Sequence, residues 1–329
     1  MKIVVDAFGG DNAPLEIIKG AAMAEKELGV DIILTGNTEI INKCINDNGI
    51  VFKNLETVHT TDVISMHDEP TSLLKAHKDS SMAEAFRILA DGRADAFVSA
   101  GSTGAVVVGG TLIVKRIKGI KRPALGSMIP SPDSSYFLMD MGANAECRPE
   151  MLAQFGVMAS VYLEKVEGRE NPTIGLLNIG TEDSKGGELQ KESYKLLSEA
   201  PINFVGNVES REMPKGIVDG VVTDGFTGNI ALKLIEGTTI TLFKMLKKVF
   251  YKNITTKLAT LILKDGIMSL KQKMDASEVG GAPLLGVAKP VIKAHGSSDA
   301  KAIKNAIYQA KLYTENNVIE KISAGLAKM

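Results

Sequence analysis

Short β-branched runs alternate with helical segments along this 329-residue chain, and that alternation limits the fold more than any other feature. Strands are expected at Ile3–Asp6, Asp31–Thr35, Ala96–Ser99, Tyr136–Asp140, Thr173–Leu177, Asn203–Gly206 and Val218–Val222. Helices are expected at Leu15–Leu28, Thr38–Asn48, Ser80–Asp91, Glu150–Glu167, Gln190–Ala200 and Asn229–Ile240. Such alternation predicts an α/β fold whose mostly parallel sheet is covered on both faces. Ligands in these sheets gather beyond the carboxyl ends of the strands. Polar glycine motifs fall at those ends here, which is where an active site is expected.

Composition narrows the function classes. A hydrophobic share of 44% at this length is enough to bury one large core or two modest ones. With no Trp and 5% aromatics, that core must rest on Ile, Leu, Val, Met and Ala. The charged share of 23% argues against wholesale disorder. A net charge of -1 and the lack of a basic, aromatic-rich tract argue against nucleic acid as a partner. Cys44 and Cys147 stand far apart in no ligand-like spacing, so neither a disulfide scaffold nor a metal site is expected and a reducing cytosol fits. The apolar run at Met1–Asp6 is too short for a signal peptide and reads as a buried first strand. Residues 96–114 carry no charge over a nominally membrane-spanning length. Ser99, Gly101, Ser102, Thr103, Gly104, Gly109 and Gly110 interrupt them, so the expectation is a strand, a polar glycine loop and a buried helix.

Several motifs carry candidate chemistry. In Asp6-Ala7-Phe8-Gly9-Gly10-Asp11, two glycines permit close backbone approach to a ligand, which makes Asp6, Gly9, Gly10 and Asp11 substrate-binding candidates; a capped turn is the plainer reading. Gly101-Ser102-Thr103-Gly104 follows a strand and precedes a helix, where N–H groups and the helix dipole favour phosphate. No Lys follows, so it is not a Walker loop. Asp140-Met141-Gly142-Ala143-Asn144 adds Asn144 as a substrate contact. Lys185, in a glycine-rich turn from Asn178 to Gly186, offers charge to a phosphate or oxyanion, although a lone lysine is usually only solvated. In Thr223-Asp224-Gly225-Phe226-Thr227-Gly228-Asn229, Asp224 is a candidate base. Asn229 is a candidate oxyanion donor or a helix cap. Gly280–Val287 is a further glycine motif. Of the four histidines only His295 sits in a polar glycine-serine setting, which makes it a candidate proton carrier.

The motif order DAFGGD, SAGSTGA, DMGAN, NIGTEDSKG, NVESRE, TDGFTGN, GGAPLLGV, HGSSDA resembles the PlsX phosphate acyltransferase family from Asp6 to about Ala310. Phe8, Ser102 and Ser210 depart from that pattern, where Met, Asn and Gly are usual. The resemblance implies a three-layer α/β/α architecture similar to phosphotransacetylases and isocitrate-dehydrogenase-like enzymes, as a single domain over 1–329. It implies transfer of a fatty acyl group from acyl carrier protein to inorganic phosphate, giving acyl phosphate for phospholipid synthesis. It also implies a homodimer, a peripheral membrane location in the cytoplasm, and no cofactor. The consumer of the product would be a membrane glycerol-3-phosphate acyltransferase. Phosphate, with a second pKa of about 6, is already nucleophilic near neutral pH, so positioning and oxyanion stabilisation are the expected tasks. The alternatives are an actin-like ATP-dependent kinase, with Asp6 and Asp140 in two phosphate loops, and a non-catalytic membrane-surface scaffold. An isocitrate-type dehydrogenase ranks lower, for want of a nucleotide fingerprint.

Residues 241–273 hold eight lysines and one acid. Leu242, Leu246, Val249, Ile254, Leu258, Leu261 and Ile262 recur at helical spacing, and Asn253 marks a turn. This predicts a projecting amphipathic helical hairpin over 235–275 with its tip at Phe250–Ile254. Phe250, Leu258, Leu261 and Ile262 are the expected contacts with an anionic membrane surface. A dimer-forming hairpin and a carrier-protein dock are the other readings.

Overall fold

The computed structural model describes residues 1–273 and 280–329. Its described strands are β1 (Lys2–Asp6), β2 (Asp31–Gly36), β3 (Leu55–His59), β4 (Ala96–Ser99), β5 (Ala124–Pro130), β6 (Ser135–Met139), β7 (Thr173–Asn178), β8 (Asn203–Glu209), β9 (Gly220–Val222), β10 (Gly281–Leu285) and β11 (Val291–Ala294). They join one sheet in the order β3-β2-β1-β4-β11-β10-β5-β6-β9-β7-β8. The first five run parallel to one another, and so do the last four. Antiparallel pairings of β10 with β11, β10 with β5 and β5 with β6 join the two blocks, which therefore run in opposite directions.

The helices are α1 (Leu15–Leu28), α2 (Thr38–Asp47), α3 (Ser81–Ala90), α4 (Thr103–Gly109), α5 (Pro149–Lys165), α6 (Glu188–Glu199), α7 (Gly225–Phe250), α8 (Ile254–Lys273), α9 (Ala300–Glu315) and α10 (Val318–Leu326). Local chemistry sets many of their ends. Asn37, Ser80 and Asp299 accept first-turn N–H groups of α2, α3 and α9. Gly29 ends α1 at a φ of 66°, a left-handed conformation that glycine adopts without penalty.

Alternate residues of β1 divide between the two faces. Ile3 and Val5 join α1 and α9, whereas Val4 joins α3 and α4. In the second block α5, α9 and α10 cover one face around Phe137, Tyr162 and Tyr313. On the other, α7 residues Ala231, Leu232 and Ile235 lie on Ile129, Leu138 and Val221. The result is the expected three-layer α/β/α arrangement. Phe86 stacks on Phe97 in the core of the first half and Phe137 on Tyr162 in that of the second.

Several expectations need correction. The glycine motif at 280–287 is largely the buried strand β10, and β3, β5 and β11 were absent from the sequence reading. The helix expected at Asn229–Ile240 begins at Gly225 and continues to Phe250. Residues 96–114 do form a strand, a loop and a helix, which ends in a π-helical turn at Gly110–Val114. The hairpin helices α7 and α8 meet at Asn253, whose side chain caps α8 through Thr256. Residues 274 and 275 of the expected hairpin lie outside the described residues. No described helix is long and apolar enough to cross a membrane.

Candidate active site

One group of polar residues gathers at the carboxyl ends of β1, β4 and β11. Asp6, Ser99 and Lys293 lie on the same sheet face, since Lys293 pairs in register with Ser99 and the Ser99 hydroxyl donates to Asp6 Oδ2 at 2.8 Å. Ser81 donates to Asp6 Oδ1 at 2.6 Å. Burial nevertheless pushes the Asp6 carboxyl above its ordinary value, with the two hydroxyls opposing. Gly9 packs so closely here that a Cβ would sit 2.6 Å from Asp6 Oδ2 and 2.7 Å from the Gly101 nitrogen. Gly10, at a φ of 100°, holds the bend that brings the Asp11 N–H to the Gly296 carbonyl at 2.8 Å. Asn12 ties the same two loops through the Ser297 carbonyl at 3.0 Å.

The loop expected to bind phosphate is partly occupied by its own structure. The Gly101 N–H donates to Ser99 Oγ at 3.0 Å, and Ser102 caps α4 by accepting from the Ala105 N–H at 3.5 Å. The N–H of Gly101, a residue expected to bind phosphate, is thus engaged within the protein. The N–H groups of Thr103 and Gly104 are the orphan donors of the first turn, and neither finds a protein acceptor among the described residues.

His295 borders this group. Its Nδ1 accepts from the Ser297 N–H at 3.3 Å and lies 2.9 Å from Ser297 Oγ. The ring keeps an exposed edge, yet partial desolvation lowers its pKa. Lys293 and Lys233 add to the depression, while Glu236 and Asp11 oppose it. Lys293 escaped the sequence reading. It is only 8% exposed, and burial pushes its ammonium down to about 8. The available signal was its place in the otherwise apolar run Val291-Ile292-Lys293-Ala294.

A second group lies at the carboxyl ends of β6 and β9. Asp140 accepts from the N–H groups of Leu125, Ala143 and Asn144 at 2.8–3.1 Å, and burial raises its pKa. The Asn144 amide is engaged by Pro123 O at 2.7 Å and Asp140 Oδ2 at 2.9 Å. Asp224 caps α7, one oxygen taking the Thr227 N–H and the other the Thr227 hydroxyl, both at 2.8 Å. Asn229 is not the cap; it is exposed one turn into α7 beside Gly142.

The two groups sit at opposite ends of β10, whose Gly281 pairs with Ala294 and whose Leu284 pairs with Leu125. Helix α7 spans them: capped at Asp224, it brings Lys233 and Glu236 to the field around His295. About ten residues at 1.5 Å of rise cover roughly 15 Å, close to the length of β10. Asp6 and Asp140 thus do not face one another, as the two phosphate loops of an actin-like kinase would.

Lys185 lies on the side of the second group, because β7 pairs in parallel with β9 and its loop leaves the sheet at the same end. It lies in the loop after β7, 3.7 Å from Glu182, and Asn207 of β8 holds that loop through Glu182 O at 2.7 Å. Strands β9, β6, β5 and β10 intervene before β11. Five spacings of about 4.8 Å place it roughly 24 Å along the sheet from Lys293. A separate depression of about 210 Å3 adjoins this loop, lined by Asn178, Ile179, Glu209, Ser210 and Arg211.

Along α7 an open cavity of about 450 Å3 is lined by Lys233, Leu234, Gly237, Thr238, Thr241, Leu242 and Met245. Both cysteines are free, and burial pushes the Cys147 thiol up to about 12, which leaves it protonated at neutral pH.

Comparison with known proteins sets this geometry in a family. The family model described as "Fatty acid synthesis protein" matches residues 1–321. A phosphate acyltransferase of Alkaliphilus oremlandii is 48% identical over 329 residues, covering 100% of this chain and 98% of that protein. One from Clostridioides difficile is 45% identical over 329 residues, covering 100% and 97%. Among solved structures, a phosphotransacetylase from Streptococcus pyogenes matches with a TM-score of 0.64 at 19% identity, over 97% of this chain and 94% of that one. A branched-chain phosphotransacylase from Enterococcus faecalis matches at 0.59 and 16%, over 95% and 99%. Those two likenesses bear on the fold, and they agree with the phosphotransacetylase-like architecture that the family resemblance implies. With a family match through residue 321 and nearly half of all positions identical to full-length relatives, this chain belongs to the fatty acid synthesis protein family, the family of the phosphate acyltransferases.

Proposed function

We propose that the protein transfers a fatty acyl group from acyl carrier protein to inorganic phosphate, giving acyl phosphate for phospholipid synthesis. The observation that carries this reading is the family match over residues 1–321. A phosphate oxygen attacks the thioester carbonyl, the C–S bond breaks, and the carrier thiolate leaves and takes up a proton. The nucleophile is ionised near neutral pH and a thiol has a pKa of about 8.5, so neither step demands a strong base. What the protein must supply is orientation, charge and donors for the oxyanion.

The free N–H groups of Thr103 and Gly104 are the proposed phosphate donors on the loop from Gly101, with His295 as the nearby proton carrier. Asp6, Gly9, Gly10 and Asp11 shape the adjoining wall. Asn229 and the turn at Gly142 suit the thioester oxygen, and the cavity along α7 suits an acyl chain. Asp224 and Asn144 act by fixing the α7 end rather than by touching substrate. The hairpin of α7 and α8 is proposed to attach the protein to an anionic membrane from the cytoplasm. There a homodimer would pass its product to a membrane glycerol-3-phosphate acyltransferase.

Lys185 enters as a charge that the loop after β7 brings to the thioester side of the site. Lys185→Ala is expected to lower kcat; wild-type kinetics would remove Lys185 from the reaction. The primary assay is release of carrier thiol from palmitoyl-acyl carrier protein with and without phosphate, in the absence of ATP. Phosphate-dependent release with formation of acyl phosphate supports the reading. Absence of turnover, with ATP hydrolysis on adding magnesium, would replace it with the kinase.

A further inference from the structure

Lys293 is an unusual residue to find on the floor of a sheet. Its neighbours in β11 are fully buried, and Lys293 itself is 8% exposed. The side chain shares the face of Val291 and Phe97, between Ser99 of β4 and Ala282 of β10 in register. An ammonium carries three N–H donors. Here Nζ donates to the Ala294 carbonyl, and among the described residues no carboxylate pairs with it. Taking such a charge out of water without a partner is costly, and hydrogen-bonding to one carbonyl offsets little of that cost.

The groups around it do not repair the imbalance. Asp11, from the loop after β1, favours the charged form, and Lys233, from α7, disfavours it. His295 borders the same space on the end of β11, and Glu236 of α7 is already paired with Lys233 at 2.8 Å. A buried cation without a counter-charge beside free N–H donors is a candidate anion site. Lys293 stands one strand from Ser99, two residues before the loop whose Thr103 and Gly104 donors are free.

We propose that Lys293 receives the inorganic phosphate of the acyl-transfer reaction and positions it as the nucleophile. This rests on the reading of the protein as an acyl-carrier-dependent phosphate acyltransferase. Charge-assisted N–H bonds to a phosphate oxygen satisfy the buried ammonium and hold the anion next to Thr103, Gly104 and His295. Bound phosphate also favours the protonated lysine, so its titration moves upward from about 8 when phosphate occupies the site.

The test combines kinetics with a direct view of the lysine. Lys293→Met removes the charge at nearly constant volume and is expected to raise the KM for phosphate about tenfold or more, while the KM for the acyl carrier substrate stays within about twofold. Lys293→Arg is expected to recover part of the loss, because it retains a cation. An unchanged KM for phosphate in a folded Lys293→Met protein overturns the proposal. So does a rise confined to the KM for the carrier substrate, which would assign the lysine to the phosphodiester of the carrier's prosthetic arm. Nitrogen NMR of lysine-labelled wild-type protein needs neither variant nor turnover. The Nζ titration of Lys293 is expected to shift upward with inorganic phosphate, and an unmoved titration at saturating phosphate overturns the proposal. If wild-type protein releases no thiol with phosphate, the acyl-transfer reading fails. The NMR result then still decides whether Lys293 binds the anion.

Discussion

Asp224 closes the amino end of α7 with both carboxylate oxygens, and Thr227 supplies both donors. That arrangement bears on a choice between base and cap. A base must keep a lone pair free and directed at substrate, whereas a cap needs an acceptor facing the first-turn N–H groups. Asp224→Asn keeps the acceptor for the Thr227 N–H and loses the basic group. The expected outcome is near-normal thermal stability and near-normal kcat. Asp224→Ala removes the cap and is expected to cost about 1–2 kcal/mol in denaturant unfolding. A large fall in kcat for the Asn variant at unchanged stability would restore Asp224 as a base. Asp224 drew attention in the sequence because an aspartate in a glycine turn suits both roles. Lys293 was overlooked for the opposite reason: a lone lysine is usually solvated, and only the strand around it reveals that this one is buried. Lys185 stood out through its glycine neighbours, although its loop folds against β8 rather than toward the Thr103 donors.

The hairpin shows how much of an element can be read from spacing and caps. Lysines and apolar residues at helical intervals indicated two helices, and Asn253 indicated the turn; the hydrogen bonds between Asn253 and Thr256 realise it. Spacing did not distinguish the apolar residues that stay exposed. Leu258, Leu261 and Ile262 are 59%, 69% and 87% exposed, whereas Phe250 is half-buried and its carbonyl accepts from the Thr260 hydroxyl. The first three are therefore the stronger candidates for an interface. Replacing Leu258 and Ile262 together by Glu puts two anions on that face among the lysines. Co-sedimentation with anionic vesicles is expected to fall sharply while activity on soluble substrate is retained, and unchanged vesicle binding would exclude lipid contact by this face. Strand β10 was harder to read, because Gly-Ala-Pro looks like a turn. Its proline is tolerated because Pro283 pairs only with Ile292 of β11, and the pairing with β5 begins at Leu284, so no donor is lost to β5.

The molecule as a whole depends on that strand and on α7. Alternation of strands and helices predicted a mostly parallel sheet but not its division into two blocks of opposed direction, since that is set by the antiparallel pairings through β10 and β5. With the blocks opposed, the polar loops of the two halves stand at opposite ends of β10, and α7 is the element that spans them. Two glycines of α7 test this role with the same substitution. A Cβ at Gly228 would overlap the Asp140 carbonyl oxygen, so the first turns of α7 must move off the turn that carries Asn144. Gly237, farther along, has nothing within 4 Å of an added Cβ. Gly228→Ala is therefore expected to destabilise by about 1–3 kcal/mol through overpacking and to lower kcat by displacing Asn229 and Lys233 together. Gly237→Ala is expected to stabilise by up to about 1 kcal/mol, because alanine orders the helix more readily than glycine. Opposite signs in urea unfolding, with a fall in kcat for Gly228→Ala, would establish that the seat of α7 on the Asp140 turn aligns the two halves of the site. Equal stabilities for both variants would place that alignment elsewhere.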